Sequence, residues 1–340
     1  MRIILIGSGV VGGSFIKLVS LRARDLVRGF GIRPRLVAIV DIYGAAINPA
    51  GLDPERMLAV FEKKGAVCKD PTFGKPGLSG VEVIEENDAE VVIEATPTNV
   101  VNGEPGMSHI KTALKERKNV VTSNKGPLAL ALPALMELAQ YNGVYLRFSG
   151  TVGGGTPILD FAKRSLLGDQ IISVQGILNG TTNYILTRMA DAGLSFNAAL
   201  KEAQKAGYAE ANPSMDIDGY DTAAKIVIIA NWILKRCVTL KDVDLKGIRD
   251  ITREEVKEVA SKGKMLKLVA SAEGRIQVAP MPIPVEHPLC VSGVLNAVTF
   301  TSKYAGEETI VGRGAGGMET ASALLRDLIE IKNRLYRSSI

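Results

Sequence analysis

Four carboxylates and a lysine lie close together in the segment GYAEANPSMDIDGYDTAAK, residues 207–225. They are Glu210, Asp216, Asp218, Asp221 and Lys225. Asp221 and Lys225 are four residues apart, so on a helix they share one face. Charges that lead straight into the apolar run IVIIANWIL are costly unless they are paired or used, which makes the segment a candidate for proton transfer and for binding a charged ligand. Alone, it could equally be an acidic helix start with an ordinary ion pair worth about 0.3–0.5 kcal/mol.

The N-terminus has the pattern of a dinucleotide-binding turn. A predicted strand, RIILIG, leads into GxGxxG, and a predicted helix, SFIKLVSLRARDLV, follows. The turn consists of Gly7, Ser8, Gly9, Val10, Val11 and Gly12. In this context the glycines permit a tight turn and the close approach of a pyrophosphate, which the helix N-terminus binds.

An acid closes the next predicted strand, RLVAIVD. At that place an acid usually binds the ribose hydroxyls of NAD, so Asp41 is the candidate. The next residues, Ile42, Tyr43 and Gly44, include no arginine, which favours NAD over NADP. The alternative is an acid exposed in a turn.

Strands and helices then alternate, as in an α/β sheet. AEVVIEAT, NVVTSNK and VYLRFS predict strands, and MLAVFEKKG, MSHIKTALKERK and PLALALPALMELAQYNG predict helices. Ligands of such sheets bind beyond the carboxyl ends of the strands, where Thr96 and Ser123 lie and where we expect Lys125 to close a strand. Residues 1–149 are therefore predicted to form a Rossmann-type, doubly wound dinucleotide-binding domain.

The chain changes character after Ser149. QIISVQGIL, KMLKLVASAE, RIQVAPMPIPV and LNAVTFTSK predict strands, while FNAALKEAQKAG and DTAAKIVIIANWIL predict helices. Thr181 or Thr182 is the expected cap of the helix YILTRMADAG, and Ser195 that of the next helix. We predict an α+β domain with a mixed sheet over residues 150–313. A C-terminal helix, about 314–340, is expected to return to the first domain.

Composition excludes several kinds of partner. The net charge of +5 comes from 41 basic and 36 acidic residues, and the basic residues never form a run, so we expect no nucleic-acid or membrane partner. The three cysteines form no CxxC and there are only two histidines, which argues against a disulfide framework or a zinc site. No signal peptide or membrane span is recognisable, so a cytoplasmic location is expected.

A dinucleotide together with lysines and carboxylates indicates hydride transfer at an amino-bearing small molecule. The acids would hold an ammonium group, a lysine would move the hydroxyl proton, and the nicotinamide would carry the hydride. Two alternatives remain open: a dehydrogenase of a different amino acid on the same scaffold, and a non-enzymatic dinucleotide-sensing module.

Several motifs together resemble those of the homoserine dehydrogenase family. They are GSGVVGGSF, VVTSNKGPLAL, TVGGGTPI, GILNGTTNYIL, GRGAGGMETA and the 207–225 segment, and they span nearly the whole chain. The resemblance implies NAD(P)-dependent interconversion of L-homoserine and L-aspartate 4-semialdehyde, in threonine, methionine and isoleucine biosynthesis. It also implies that the domain 150–313 binds the substrate and forms a homodimer through its mixed sheet.

The resemblance also implies residue roles. Lys225 would be the catalytic proton carrier and Lys125 a second lysine near nicotinamide and substrate. Residues implied to bind homoserine are Glu210, Asp216, Asp221, Gly180 and Thr181. Gly207 and Gly316 are implied to lie near the cofactor, whereas Asp218 matches no assigned position and is interpreted as a loop or helix-cap carboxylate.

Two features depart from common members of the family. The turn TVGGGTP resembles a loop that binds Na⁺ or K⁺ through the backbone carbonyls of Val152, Gly154 and Thr156. Ser149 stands where the family often has a glutamate, which weakens this expectation because a carboxylate ligand is missing. The chain ends soon after GRGAGGMETA, so we expect neither an ACT domain nor a fused aspartokinase.

Overall fold

The structure is a computed structural model that describes residues 1–337. The chain forms two compact units. The first unit combines Met1–Thr151 with the residues from Gly316 onwards, and the second unit is Val152–Ala315.

The first unit contains a sheet with helices between its strands. Its strands are β1 (Arg2–Ile6), β2 (Arg35–Asp41), β3 (Gly44–Ile47), β4 (Gly74–Pro76), β5 (Val91–Glu94), β6 (Asn119–Thr122) and β7 (Leu146–Arg147). The helices before Thr151 are α1 (Val10–Leu21), α2 (Ala23–Phe30), α3 (Pro54–Lys64), α4 (Gly80–Glu86), α5 (Gly106–Lys115) and α6 (Lys125–Tyr141).

The second unit follows, and the last helix returns to the first. The helices of the second unit are α7 (Ile158–Asp160), α8 (Gly180–Asp191), α9 (Phe196–Lys205), α10 (Ser214–Ile217), α11 (Tyr220–Trp232) and α12 (Arg253–Ser261). Its strands are β8 (Ile171–Ile177), β9 (Val243–Leu245), β10 (Lys264–Glu273), β11 (Arg275–Pro284), β12 (Leu295–Ser302) and β13 (Gly306–Arg313). Helix α13 (Gly317–Arg337) closes the described chain.

The sheet of the first unit has the strand order β4-β3-β2-β1-β5-β6-β7. Strands β2, β1, β5, β6 and β7 pair in parallel. Strand β3 pairs antiparallel with β2, and β4 pairs antiparallel with β3. Four of the five β1 residues are buried, as expected for a parallel strand covered on both faces. Ile3 and Leu5 of β1 belong to one apolar core with Phe15 of α1 and Leu324 and Leu328 of α13. The predicted doubly wound α/β fold is confirmed.

The sheet of the second unit is mixed, with the order β13-β12-β8-β10-β11-β9. Its pairs are antiparallel except β11 with β9, which is parallel. Helix α11 is buried almost all round: each residue from Thr222 to Asn231 is buried. Charged residues on this helix therefore need partners inside the protein.

Three local predictions are wrong. Lys125 does not close a strand: β6 ends at Thr122, and Lys125 opens α6 behind an Asn124 cap. Asn179, rather than Thr181 or Thr182, caps α8. The segment SFIKLVSLRARDLV spans two helices that meet at Arg22, not one. The strand predicted from VYLRFS is confirmed, but it is only the two-residue strand β7.

Some elements had no sequence prediction, among them the antiparallel pair β3 and β4. The buried residues of β3, such as Ala45 and Ala46, lack the β-branched side chains that mark a strand. The Ser195 cap of α9 is confirmed, because its hydroxyl oxygen accepts a hydrogen bond from the Ala198 amide.

Candidate active site

A buried ion pair lies on the first two turns of α11. The Lys225 ammonium donates to Asp221 Oδ2 at 2.7 Å and to the Leu178 carbonyl oxygen at 2.6 Å, and Lys225 is only 6% exposed. A lysine ammonium has three hydrogens. Within the described residues, these two bonds use two of them and leave the third for a ligand oxygen.

A left-handed glycine brings a second carboxylate to this pair. Gly219 has φ +88° and joins α10 to α11, which places Asp216 of α10 beside Asp221. A Cβ atom at Gly219 would also lie 2.8 Å from a methyl carbon of Leu245. The short helix α10 and the turn at Gly219 therefore bring two carboxylates and one ammonium together in a cluster.

Asn179 joins the two carboxylates, and its part in the site was missed at the sequence level. Its Nδ2 donates to Asp216 Oδ1 at 2.7 Å and to Asp221 Oδ2 at 2.9 Å, and Asn179 is 5% exposed. Its Oδ1 accepts from the Thr182 amide at 2.9 Å, which caps α8. An asparagine just before Gly180 is a preferred N-cap residue, and this signal could have identified it.

The environment raises the pKa of Asp216 above the ordinary value for aspartate. Burial is the main cause, and the neighbouring Asp221 charge adds to it. The hydrogen bond from Asn179 and the charge of Lys225 act in the opposite direction. A cation placed against Asp216 would favour its ionised form, because an opposite charge lowers the pKa of a carboxyl.

The remaining candidates of the 207–225 segment have different surroundings. The Thr181 hydroxyl donates to the Tyr208 carbonyl at 2.7 Å. Thr181 also lies next to Asp216. Gly207 has φ +76° with open space around it. Glu210 is exposed, and its backbone carbonyl accepts from Gln204. Asp218 forms a two-bond ion pair with Arg249, both bonds 2.8 Å, and so is turned to a different partner.

Gly180 lies where α8 passes close to another backbone. A Cβ atom there would stand 2.8 Å from the carbonyl oxygen of Val294. A side chain at position 180 would therefore shift the first turn of α8, which carries Thr181.

In the first unit, the glycine turn is shaped by backbone contact. Gly7 has φ +97°, and a Cβ there would lie 2.6 Å from the Ala95 carbonyl oxygen. A Cβ at Gly12 would lie 1.8 Å from the Gly7 carbonyl oxygen. Gly9 caps α1 without a side-chain hydrogen bond, no acid occupies the first turn, and a Cβ at Gly9 would meet nothing within 4 Å. Ser8 is buried within this turn, Val11 is partly buried and Val10 is exposed, so the helix N-terminus can receive an anion.

Asp41 ends β2, as predicted from the sequence. Its carboxylate accepts from the backbone amides of Tyr43 at 2.7 Å and Val67 at 2.6 Å. Each carboxylate oxygen accepts one of these two bonds, which fixes the orientation of the carboxylate. Each oxygen can still accept a further bond from a hydroxyl.

A buried glutamate organises the loops after β5 and β6. Glu94 accepts from the Thr96 amide at 3.1 Å, from the Thr96 hydroxyl and from the Thr122 hydroxyl at 3.1 Å. The Asn124 side chain donates to Thr96 Oγ1 at 3.2 Å. The Ser123 amide donates to the Glu94 carbonyl, and Lys125 follows at the start of α6. This network therefore holds Thr96, Ser123 and Lys125 in fixed positions.

The start of α13 packs against the glycine-turn helix. A Cβ at Gly317 would lie 2.6 Å from Ser14 Oγ and 2.9 Å from a Val10 methyl group of α1. Gly316 has φ +136°, a conformation that disfavours other residues. The structure therefore brings Gly316 to the glycine turn in the first unit.

The turn after Ser149 has two consecutive left-handed glycines, Gly153 and Gly154. The Thr156 amide donates to the Gly153 carbonyl and the Thr156 carbonyl accepts from the Ile158 amide, each at 2.8 Å. In the described part of the chain, no group of three or more His, Cys, Asp or Glu side chains could hold a metal. Among those residues there is also no helix long and apolar enough to span a membrane.

Known proteins resemble this chain over nearly its whole length. The family model described as homoserine dehydrogenase matches residues 157–329. A homoserine dehydrogenase of Methanocaldococcus jannaschii is 46% identical over 334 residues, which are 98% of this chain and 99% of that protein. This chain belongs to the homoserine dehydrogenase family.

Two further relatives bear on the cofactor. An NAD(+)-dependent homoserine dehydrogenase of Pseudomonas canavaninivorans is 38% identical, covering 99% of this chain and 97% of that protein. The structure of a hyperthermophilic archaeal homoserine dehydrogenase in complex with NADPH has a TM-score of 0.85 and 29% identity, covering 98% of both chains. Homoserine dehydrogenases are oxidoreductases that act on a CH–OH group with a nicotinamide cofactor, and the expectation of that activity class is confirmed.

Proposed function

We propose that this chain interconverts L-homoserine and L-aspartate 4-semialdehyde at the cluster around Lys225. The observation that carries the proposal is the geometry of Lys225, which has two protein acceptors and one hydrogen left for a ligand oxygen. The nicotinamide, when bound, would accept or supply the hydride.

The same geometry gives the route of the proton. In the oxidation direction, the neutral Lys225 amine takes the proton of the homoserine hydroxyl as the carbonyl forms, and in reduction the ammonium returns it. Asp221 and the Leu178 carbonyl hold the nitrogen in place through both directions. Lys125 is proposed as the second lysine of the reaction.

The substrate ammonium is proposed to bind at Asp216. With both aspartates and Lys225 ionised, the cluster has a formal charge of −1, which is complementary to a single ammonium group. Thr181 and Gly180 are proposed to contribute at the first turn of α8, and Glu210 from the exposed loop after α9. The raised pKa of Asp216 gives the sign of the pH effect: as pH falls, Asp216 is protonated sooner than an ordinary aspartate, so homoserine binding weakens earlier.

Replacing Lys225 by methionine tests the proposal. Loss of a general acid–base group should lower kcat by about 10²–10⁴-fold. Binding of NAD(P)H, followed by its fluorescence, should be retained. Lys262 is a matched control because it forms an i,i+4 pair with Glu258 at 2.6 Å on the surface of the same unit. Near-normal turnover of the Lys225 variant, or an equal loss in Lys262→Met, would refute the role.

A substrate panel separates this function from a related one. Homoserine, threonine and aspartate should be assayed with NAD and NADP at equal concentrations. The proposal requires oxidation of homoserine and predicts much weaker activity with threonine and aspartate.

The cofactor is proposed to bind at Gly7–Gly12, with Asp41 on the ribose and Thr96, Ser123 and Lys125 at the strand ends. NAD is favoured because the fixed Asp41 carboxylate can accept from ribose hydroxyls and would repel a 2′-phosphate. Asp41→Asn should therefore lower the ratio of kcat/KM with NAD to that with NADP. An unchanged ratio would exclude Asp41 as the discriminating group.

Weak binding of Na⁺ or K⁺ by the carbonyls of Val152, Gly154 and Thr156 is proposed as well. In its favour, the Thr156 carbonyl keeps one lone pair after accepting from Ile158. The turn itself supplies no carboxylate, and no catalytic step depends on the ion. The unfolding midpoint should be higher in NaCl or KCl than in choline chloride at equal ionic strength. Identical midpoints would exclude the site.

A homodimer through the mixed sheet of the second unit is proposed from the same family resemblance. Strand β13 is at one end of the strand order, and Val311 on it is exposed. Light scattering of the purified protein should give twice the chain mass of 36.2 kDa. A mass equal to one chain over the micromolar range would contradict the dimer.

A further inference from the structure

Asn179 makes four hydrogen bonds with a side chain that is almost fully buried. Its Oδ1 accepts from the amide and the hydroxyl of Thr182, at 2.9 and 3.1 Å. Because a backbone N–H must meet an acceptor, these bonds fix the orientation of the amide and leave both Nδ2 hydrogens for the opposite side. There the amide donates one bond to Asp216 and one to Asp221.

This amide is therefore a bridge between two like charges. Two carboxylates that share a site repel each other, and one of them tends to take up a proton. The Asn179 amide offsets this repulsion because it gives a donor to each carboxylate without adding charge. Lys225 also approaches Asp221, through Oδ2, the same oxygen that Asn179 contacts.

We propose that Asn179 is a positioning residue for the reaction. It keeps Asp216 ionised and free to accept the substrate ammonium, while it holds Asp221 on Lys225. This inference rests on the proposed function and assigns to the residue before α8 a role distinct from its helix cap. The backbone next to Asn179 also contacts Lys225, because the carbonyl oxygen of the preceding residue, Leu178, accepts a hydrogen bond from the Lys225 ammonium.

The surroundings of Asp216 define which charges a pH profile can report. On α11 the charged groups are Asp221 and Lys225, both near Asp216. On its own α10, Asp218 is paired with Arg249. On α8 and α9, the charged groups Arg188 and Glu202 pair with each other, and Tyr184 donates to Glu202 at 2.6 Å. Removing the Asn179 donor should therefore act mainly on Asp216 and Asp221.

Asn179→Asp separates the bridge from the cap. Aspartate has nearly the same shape and is an equally good N-cap, so a purely structural residue would tolerate the change. At the bridge it removes both donors and adds a third carboxylate. We expect the acidic limb of kcat/KM for homoserine to move up by at least about one pH unit, which is about a tenfold loss below the limb. The loss should be mostly in KM near the limb and should recover as pH rises.

Asn231→Asp is the matched control. Asn231 is a buried asparagine on α11 whose side chain accepts from the Val238 amide at 2.9 Å and donates to the Val238 carbonyl at 2.8 Å. Within residues 1–337 its side chain has no carboxylate among its hydrogen-bond partners. Its variant therefore also places a carboxylate at a buried amide position, and we expect a lower unfolding midpoint with no movement of the acidic limb.

The outcomes distinguish the inference from the proposed function. An active wild-type enzyme whose acidic limb is unmoved by Asn179→Asp overturns the positioning role alone, as does an equal movement in the Asn231 control. A wild-type protein that does not oxidise homoserine overturns the function itself. If Asn179→Asp does not fold, Asn179→Ser, which keeps a capping oxygen and shortens the side chain away from the acids, carries the same comparison.

Discussion

Replacing Lys267 by methionine tests how the second unit holds a fully buried ammonium. Lys267 lies on β10 with 0% exposure, and its Nζ donates to Asn183 Oδ1 at 2.8 Å and Thr187 Oγ1 at 3.0 Å, both on α8. No carboxylate within the described residues lies within 4.0 Å of this ammonium. Burial lowers the pKa of Lys267 from 10.5 to about 8, and the charges of Cys290 and Asp191 oppose this only in part.

The sign and size of the effect follow from that pKa. Between pH 8 and 10.5 the unfolded chain binds the Lys267 proton more strongly than the folded protein does, so wild-type stability gains with rising pH relative to a variant without the group. Integrated over this window, the gain is about 3 kcal/mol. Below pH 8 the buried charge has its full cost of about 3 kcal/mol, and Lys267→Met removes it. The variant leaves the Asn183 and Thr187 oxygens without their donor, which costs about 1–3 kcal/mol. This cost offsets most of the stability gained by removing the buried charge.

Guanidinium unfolding of both proteins between pH 7 and 10.5 measures the difference. We expect similar stabilities near pH 7 and a variant that is about 3 kcal/mol less stable than wild type at pH 10.5. Lys262→Met is the control, because the Lys262 side chain is 63% exposed. It should show no comparable pH dependence. A Lys267 difference that stays constant from pH 7 to 10.5 would refute the argument, because it would mean that the group titrates equally in the folded and unfolded states.

Two further predictions concern the candidate site. Asp216→Asn should raise the homoserine KM by about tenfold or more, as expected for loss of a charge-assisted bond. Asp218→Asn should leave homoserine kinetics unchanged because Asp218 pairs with Arg249. Steady-state assays of both variants test this, and equal effects would contradict the different roles of the two aspartates. Gly126→Ala should weaken cofactor binding and lower the unfolding midpoint, because its Cβ would lie 2.2 Å from the Asn99 carbonyl oxygen and separate the two loops that hold Thr96 and Lys125. Fluorescence titration with NADH and thermal unfolding test it, and wild-type values in both would contradict the predicted contact.

The strongly patterned parts of the chain were predictable. RIILIG and RLVAIVD are apolar runs with flanking turn residues, and the glycine turn between β1 and α1 follows from GxGxxG in its strand–helix context. The long strands β10, β11 and β12 were each predicted to within one residue of their observed bounds, β11 in spite of its three prolines. Homoserine dehydrogenase motifs then supplied the reaction class, which the residue types alone restricted only to hydride transfer at an amino-bearing molecule.

Other parts depend on contacts that have no local signal. The break between α1 and α2 falls at Arg22, where neither proline nor glycine marks it. Strand β4 is only Gly74–Pro76 and exists because β3 offers it a partner. In the sequence, the buried Glu94 is the end of a predicted strand. Its bond with Thr122 depends on the pairing of β5 with β6.

The position of Asn124 shows how a cap changes the interpretation of a site residue. From the sequence, Lys125 is expected to close the strand NVVTSNK. In the structure the Asn124 side chain accepts from the Gly126 amide and donates to Thr96 Oγ1. Asn124 thus caps α6 and connects it to the loop after β5. Asn179 has the same double role in the second unit, where it caps α8 and contacts Asp216 and Asp221.

The burial of the Asp221–Lys225 pair argues for a functional rather than a stabilising role. An exposed i,i+4 pair is worth only about 0.3–0.5 kcal/mol, and these side chains are just 13% and 7% exposed, so removing both charges from water costs more than such a pair returns. Stability alone would favour apolar residues at both positions of so buried a helix. The chain instead surrounds the pair with further polar groups, the Leu178 carbonyl and the Asn179 amide, which offset the desolvation while leaving one lysine hydrogen available. Such an arrangement is expected where a proton must be held in one place and released to a ligand.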